Sequence, residues 1–300
     1  MVRTLPKPHP KSWSGQRQKN MTLVAGFKCR DGFVIAADTE ITYGAVRFQG
    51  HKLAKYYGQS KSYDIIIGGA GDGVYIDAVC QKIRDAAAAL SQPTLTNIKD
   101  AVEGVIAAVH RDSIFKHWKP DDPDRPFVQL VCGIQDGQKD WALLQTDRDA
   151  VAEADEHAVA GSGSTLAEHL IEKMWVAGLS TAVTVHLAGQ LFREVKAKGS
   201  YVGGNTEIIG RRVTKDAEQF FDVAEEDYRF LWGIDELMLS GVRVALDYTK
   251  SPQLVLARIA DITARLNRIR ESSDKPRPPK GDTLRRTEFG SEYGDWFKDY

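Results

Sequence analysis

The chain has no apolar run approaching the ~18–20 residues that a bilayer-spanning helix requires, so no membrane-spanning helix is expected in it. Cysteine is scarce. Cys29, Cys80 and Cys132 stand far apart and odd in number, without zinc spacing or a disulfide framework, and a reducing compartment, the cytoplasm, is expected. Charge of one sign is also lacking: the net charge of −1 supplies no field for nucleic acid or an anionic membrane. The first twenty residues are basic but have no apolar core, which argues against a secretory signal. No Gly-Lys-Ser/Thr follows Gly68–Gly73, so these glycines are not a phosphate loop. His51, His110 and His186 lie near apolar stretches without metal-ligand spacing. Neither a cofactor nor a metal is expected.

What is present is an ordinary globular composition, 42% hydrophobic and 27% charged, in a length that suits one large domain with appendages. Residues 1–21 read as a disordered leader or a misplaced start, 22–222 as the main domain, 223–270 as a helical extension and 271–300 as a polar, Pro-rich tail. Two β-prone runs, Thr22–Cys29 and Phe33–Ala37, flank Arg30-Asp-Gly32 and read as a hairpin. Such a hairpin makes neighbours of Thr22 and Asp38. A hydroxyl beside a carboxylate, with a free α-amine on the threonine itself, is the equipment of an N-terminal nucleophile.

Further on, Ile65–Ile67 reads as a strand before the Gly-rich turn Gly68–Gly71, and helices are expected from Gly73 to about Leu90 and from Thr94 or Thr96 to about Trp118. Phe127–Ile134 and Trp141–Thr146 read as a second hairpin, followed by one strand over Ala150–Val159. Helices through Trp175 and over Thr181–Lys196 precede strands at Glu207–Val213 and around Phe220 and Phe221. Trp232–Tyr248 and Pro252–Arg270 read as two more helices. The order strands, two helices, strands, two helices, strands indicates an α+β layered domain.

The stretch Thr22–Gly44, His51-Lys-Leu53, Gly68-Gly-Ala-Gly-Asp72, Gly161-Ser-Gly-Ser164 and Tyr201–Ile209 together resemble the 20S proteasome and its bacterial relatives, and among these the catalytic β-type subunits. The resemblance covers roughly residues 22–213. It implies a four-layer αββα N-terminal nucleophile (Ntn) hydrolase sandwich, here with extra C-terminal helices, and a homo-oligomeric ring acting on peptide or protein substrates. By resemblance, Thr22 is the nucleophile whose α-amine takes the proton. Asp38 and Lys52 form the pair beneath it, Gly68 supplies the oxyanion N–H, and Ser162 bonds the α-amine. Thr42 would hold extended substrate by strand addition.

The residues alone leave a plainer reading for each. Thr22 reads equally as a strand threonine, Asp38 as a turn aspartate, Lys52 as a solvated lysine, Gly68 as a tight turn and Ser162 as a helix N-cap. Met21 precedes Thr22 where self-processing relatives commonly have glycine, and translation from Met21 followed by methionine removal would expose the amine. Two departures stand out. The family's Asp-x-Arg is Asp38-Thr-Glu40 here, and Lys198–Val202 replaces the Asp and Ser that usually precede Gly203-Gly204. A threonine endopeptidase is the expected activity. A non-catalytic structural subunit and an amidohydrolase acting on a small amide are the rivals. The sequence identifies no substrate preference, ring size or regulatory ATPase partner.

Overall fold

The computed structural model describes residues 22–43, 46–58, 62–119, 121–122, 124–198, 202–213 and 218–223, together with Ala260 and Ala264. The chain divides into two units, Met1–Tyr228 and Arg229–Tyr300. Of the second, Ala260 and Ala264 are described, both helical and both inside the helix expected over Pro252–Arg270. The leader, the Trp232–Tyr248 helix and the tail lie outside the described residues.

The expected hairpin forms from β1 (Val24–Cys29) and β2 (Gly32–Asp38), with Val24 opposite Ala37 and Cys29 opposite Gly32. Gly32 sits at φ +140, and a Cβ there would lie 1.8 Å from the Arg211 carbonyl oxygen. Only glycine allows that approach. A two-stranded ribbon, β3 (Glu40–Tyr43) and β4 (Val46–Gln49), follows, and then β5 (Leu53–Tyr57) and β6 (Tyr63–Gly71). Helices α1 (Gly73–Ala88) and α2 (Leu95–Val109) come next, the latter running into a π-helical turn at His110–Phe115. Strands β7 (Val128–Asp136), β8 (Trp141–Asp147), β9 (Ala150–Ala154) and β10 (His157–Ala160) lead to α3 (Ser164–Met174) and α4 (Thr181–Lys198). Strands β11 (Thr206–Val213) and β12 (Glu218–Val223) complete the described elements of the first unit.

Two antiparallel five-stranded sheets result, ordered β10-β1-β2-β11-β12 and β5-β6-β7-β8-β9. Their facing sides share a core that includes Val24, Phe33, Ile35, Ile66, Val131 and Leu143. The opposite side of the second sheet turns Ile65, Ile67, Leu130 and Cys132 toward Ile83, Ile98, Val102 and Ile106 of α1 and α2. Helix α4 contacts β1, β2 and β11 of the first sheet, and α3 contacts β10. Successive residues of a strand face opposite ways. Ile65 and Ile67 therefore enter the helix-facing core and Ile66 the core between the sheets, which is why the run is uninterrupted rather than alternating. Each buried isoleucine contributes about 1.5–3 kcal/mol. The result is the expected αββα sandwich.

Two expectations are corrected and one alternative is resolved. The strand expected over Ala150–Val159 is two strands, because the chain passes there from one sheet to the other: β9 pairs with β8, and β10 pairs with β1. The second helix does not stay α-helical to Trp118; it widens at His110 and ends after Phe115. Thr94, rather than Thr96, caps it, its hydroxyl accepting the Asn97 N–H at 3.3 Å. Strands β3, β4 and β5 are additions to the expected set.

Candidate active site

The hairpin register carries the start of β1 to the end of β2. Asp38 N–H donates to the Leu23 carbonyl (3.2 Å), and Leu23 N–H donates to Asp38 Oδ1 (2.9 Å). Asp38 is completely buried. Lys52, just ahead of β5, reaches under the hairpin from the second sheet, and its Nζ donates to Asp38 Oδ1 and to Thr22 Oγ1, both at 2.9 Å. Burial pushes the Asp38 carboxyl up and the Lys52 ammonium down. Their mutual attraction opposes both shifts, and the charge of Glu40 also acts to keep Lys52 protonated.

The loop 161–163 grips Thr22 from the other side. Ser162 Oγ accepts the Thr22 N–H at 3.1 Å, and Gly163 N–H donates to the Thr22 carbonyl at 3.2 Å. Gly161 takes φ +100, where a Cβ would stand 2.2 Å from that same carbonyl oxygen. The N-cap position of α3 is Gly163, and Ser162 turns to Thr22 instead. Four of the expected residues, Thr22, Asp38, Lys52 and Ser162, are thus one hydrogen-bonded cluster.

A cavity of about 480 Å³ opens beside Thr22 and Lys52, bounded by Leu53, Gly69, Ile76 and Cys80 among others. Gly68 is not on its wall. A Cβ at Gly68 would meet Val24 at 2.4 Å, inside the core between the sheets, whereas one at Gly69 would meet Ile76. Adjacent strand residues also send their N–H groups to opposite edges. Gly69 N–H points at the Lys52 carbonyl (3.3 Å), at the open end of the β5–β6 ladder, so that of Gly68 points toward Val131 on β7. Thr42 lies in β3 opposite Arg47, and its neighbour Ile41 borders the cavity.

A model of the family described as "Proteasome subunit" matches residues 19–209. The chain belongs to the proteasome subunit family. No curated protein sequence matches it. Among solved structures it resembles a Gly-1 mutant of Anbu from Hyphomicrobium sp. strain MC1 at 16% identity and a TM-score of 0.58, over 77% of this chain and 97% of the other. Anbu from Yersinia bercovieri, described as an ancestral β-subunit, is similar at 14% identity and 0.58, over 77% and 98%. A helical assembly of the Anbu complex from Pseudomonas aeruginosa gives 17% and 0.57, again over 77% and 98%. At these identities the likeness is one of fold.

Against that proteasome-family background, Glu40 stands where the sequence pattern leads one to expect arginine. Its carboxylate lies against Gly203, where a Cβ would stand 2.4 Å from Oε2, and Oε1 is 3.4 Å from Arg47 Nη1. Gly203 N–H points at Asp38 Oδ2 (3.4 Å). Ser200 lies outside the described residues. Sequence reasoning missed the cavity wall, the role of Gly161 and the approach of Glu40. The signal for the wall was the surface formed by Ile76, Asp77, Cys80 and Gln81 on successive turns of α1.

No group of His, Cys, Asp and Glu among the described residues has a metal-binding arrangement. All three cysteines are buried and free. His51 is mostly exposed and contacts Glu207 at 3.0 Å. No described helix is long and apolar enough to cross a membrane.

Proposed function

We propose that the chain is a threonine hydrolase, an endopeptidase, that uses Thr22 once the bond from Met21 has been removed. The observation that carries this reading is the buried Lys52 Nζ, 2.9 Å from both Thr22 Oγ1 and Asp38 Oδ1. A cation held there stabilises the alkoxide that forms as the hydroxyl loses its proton, and Asp38 keeps the cation in place.

The freed α-amine, with an ordinary pKa of about 7.7–8, accepts the Oγ proton while Oγ bonds to the substrate carbonyl carbon. The carbonyl oxygen takes the negative charge. A backbone N–H on the cavity wall would stabilise that charge; the Gly69 N–H already donates to the Lys52 carbonyl, and Gly68 is not on the wall. Collapse of the tetrahedral intermediate breaks the C–N bond, and the α-ammonium returns the proton to the departing amine. Water then attacks the ester on Oγ, assisted by the same amine, and releases the acid. Ser162 Oγ orients the amine. The free edge of the β3–β4 ribbon, at Thr42, suits an extended peptide added as a strand.

An N-terminal-threonine-directed epoxyketone needs both Oγ and a free amine. Protein beginning at Thr22 should label once per chain by intact mass, and Thr22→Ala should not label. The structural-subunit reading draws on Glu40 and on the Lys198–Val202 replacement; a mature, oligomeric protein that never labels would establish it. Hydrolysis of small amides but not peptides by labelling-competent protein would favour the amidohydrolase reading. Assembly into a homo-oligomer in the cytoplasm completes the proposal, and the helical assembly of the Pseudomonas aeruginosa Anbu complex is its nearest support.

A further inference from the structure

The Asp38 carboxylate uses its two oxygens differently. Oδ1 accepts from Lys52 Nζ and from Leu23 N–H, both at 2.9 Å. Oδ2 faces Gly203 N–H at 3.4 Å. Gly203 lies in the irregular segment 202–205 ahead of β11, and this segment meets the site at several points. Val202 is buried, and a Cβ at Gly163 would stand 2.8 Å from its Cγ2, so it closes over the loop that grips Thr22. Thr39 N–H donates to the Asn205 carbonyl at 2.9 Å, and Asn205 N–H donates to Thr39 Oγ1 at 2.8 Å. Gly204 takes φ +67, where a Cβ would lie 2.7 Å from that same hydroxyl oxygen.

A Gly-Gly pair has no side chains to fix the direction of its peptide groups. Lys196 reaches this pair from the last turn of α4. Its Nζ donates to the Gly204 carbonyl at 2.8 Å and to Thr206 Oγ1 at 2.7 Å. Thr206 opens β11 and stands opposite Asp38 in the register of β11 with β2. One ammonium therefore ties the residue after Gly203 to the strand residue that pairs with Asp38. Such charge-assisted bonds are about twice as strong as bonds between neutral groups. Lys198, two residues on, does something different and turns back along the helix to Glu194 at 2.9 Å.

We propose that Lys196 is a positioning residue for the reaction at Thr22. It holds the 203–206 backbone so that Gly203 N–H stays on Asp38 Oδ2 and Oδ1 stays turned to Lys52. The inference rests on the threonine-hydrolase reading and adds to it a lysine far from the nucleophile in sequence. Without that ammonium the Gly203-Gly204 peptides are free to turn, and Asp38 loses the donor that fixes the plane of its carboxylate. Lys52 then no longer has a fixed acceptor to hold it against Thr22 Oγ1. Lys196 is not on the wall of the cavity, so the loss falls on the chemical step and not on substrate binding.

The test uses protein matured to begin at Thr22 and follows epoxyketone labelling over a range of inhibitor concentrations. Lys196→Met keeps the length of the side chain and removes the ammonium. Its labelling rate at saturation should fall roughly tenfold, the scale of a lost hydrogen bond to a charged group, with the half-saturating concentration unchanged. Thr206→Val keeps the ammonium and removes one of its two acceptors, and should slow labelling to a smaller extent. Hydrogen–deuterium exchange over residues 202–206 should quicken in both variants, while exchange over β1 and β2 stays as it was. Thr206→Val carries the test alone if Lys196→Met fails to fold. Labelling at the unaltered rate would overturn the inference, as would a loss confined to the half-saturating concentration. Slower labelling with unchanged exchange over 202–206 would also overturn it, because the effect would then not pass through that segment. Unaltered protein that never labels would remove the hydrolase reading, and this inference with it, whatever the exchange shows.

Discussion

Lys52 is the residue on which the candidate site turns, because one ammonium group serves two oxygens from two different chain segments. Removing its partner by Asp38→Ala leaves a buried uncompensated cation. The expected loss is about 3–5 kcal/mol of stability, read by denaturant unfolding. Lys52→Ala should abolish epoxyketone labelling while Thr22 N–H stays bonded to Ser162. Glu40 acts more gently: its negative charge helps hold Lys52 protonated. Glu40→Gln should lower the Lys52 pKa and draw the alkaline limb of the kcat/KM profile to lower pH. An unmoved limb would show that Glu40 serves only Arg47. Residue identity at these places was readable in the chain, since Thr22, Asp38, Lys52 and Ser162 sit in recognisable sequence settings. Gly68 and Gly69 differ only in their place along β6. A one-residue shift in a strand exchanges its faces, so only the strand pairing tells that Gly68 lies in the core and Gly69 on the cavity.

At the scale of elements, the loop ahead of α3 leaves Gly161 no room for a side chain. Gly161→Ala places a methyl group against the Thr22 carbonyl at an unfavourable φ. Labelling should fall at least tenfold, with the far-ultraviolet spectrum retained. Helix α4 supplies a pH-dependent contribution to stability. Burial holds the His186 pKa down to about 4, from 6.5 when free. Folding therefore favours the neutral ring. The contribution is complete above about pH 6.5 and is lost as pH falls toward 4. Substituting His186 with leucine should flatten the fall in Tm over that window.

The helices and the central hairpin were legible because their periodicity or turn chemistry is local. Ile76, Val79, Ile83 and Ala87 of α1 fall on one stripe, and Asp-Gly marks the hairpin turn. Strands β3 to β5 were not. They are short, and β4 is exposed throughout, so no burial pattern was imposed on the sequence. The break between β9 and β10 was hidden for a related reason, since it is set by which sheet each strand joins.

For the whole molecule, the two sheets bring together residues that the chain keeps far apart. Thr22 and Ser162 are bonded across 140 positions, and Asp38 and Gly203 across 165. A site assembled that way disappears with global unfolding and not before. Epoxyketone reactivity and the near-ultraviolet signal of the core should therefore be lost at the same urea concentration. Reactivity that vanished at lower urea would mean that the site opens locally while the sandwich stays folded.

The grip on Thr22 has a consequence for how such a protein would be switched on. The threonine carbonyl is already tied to Gly163, its hydroxyl to Lys52 and the next amide to Asp38, in a chain that still carries the Met21 peptide bond. Among the described residues that framework is complete in the uncleaved chain. Severing the bond would convert a nitrogen that can only donate into one with a lone pair, at the same place and beside the same serine. Latent and working forms would then share one backbone and differ in basicity at a single atom.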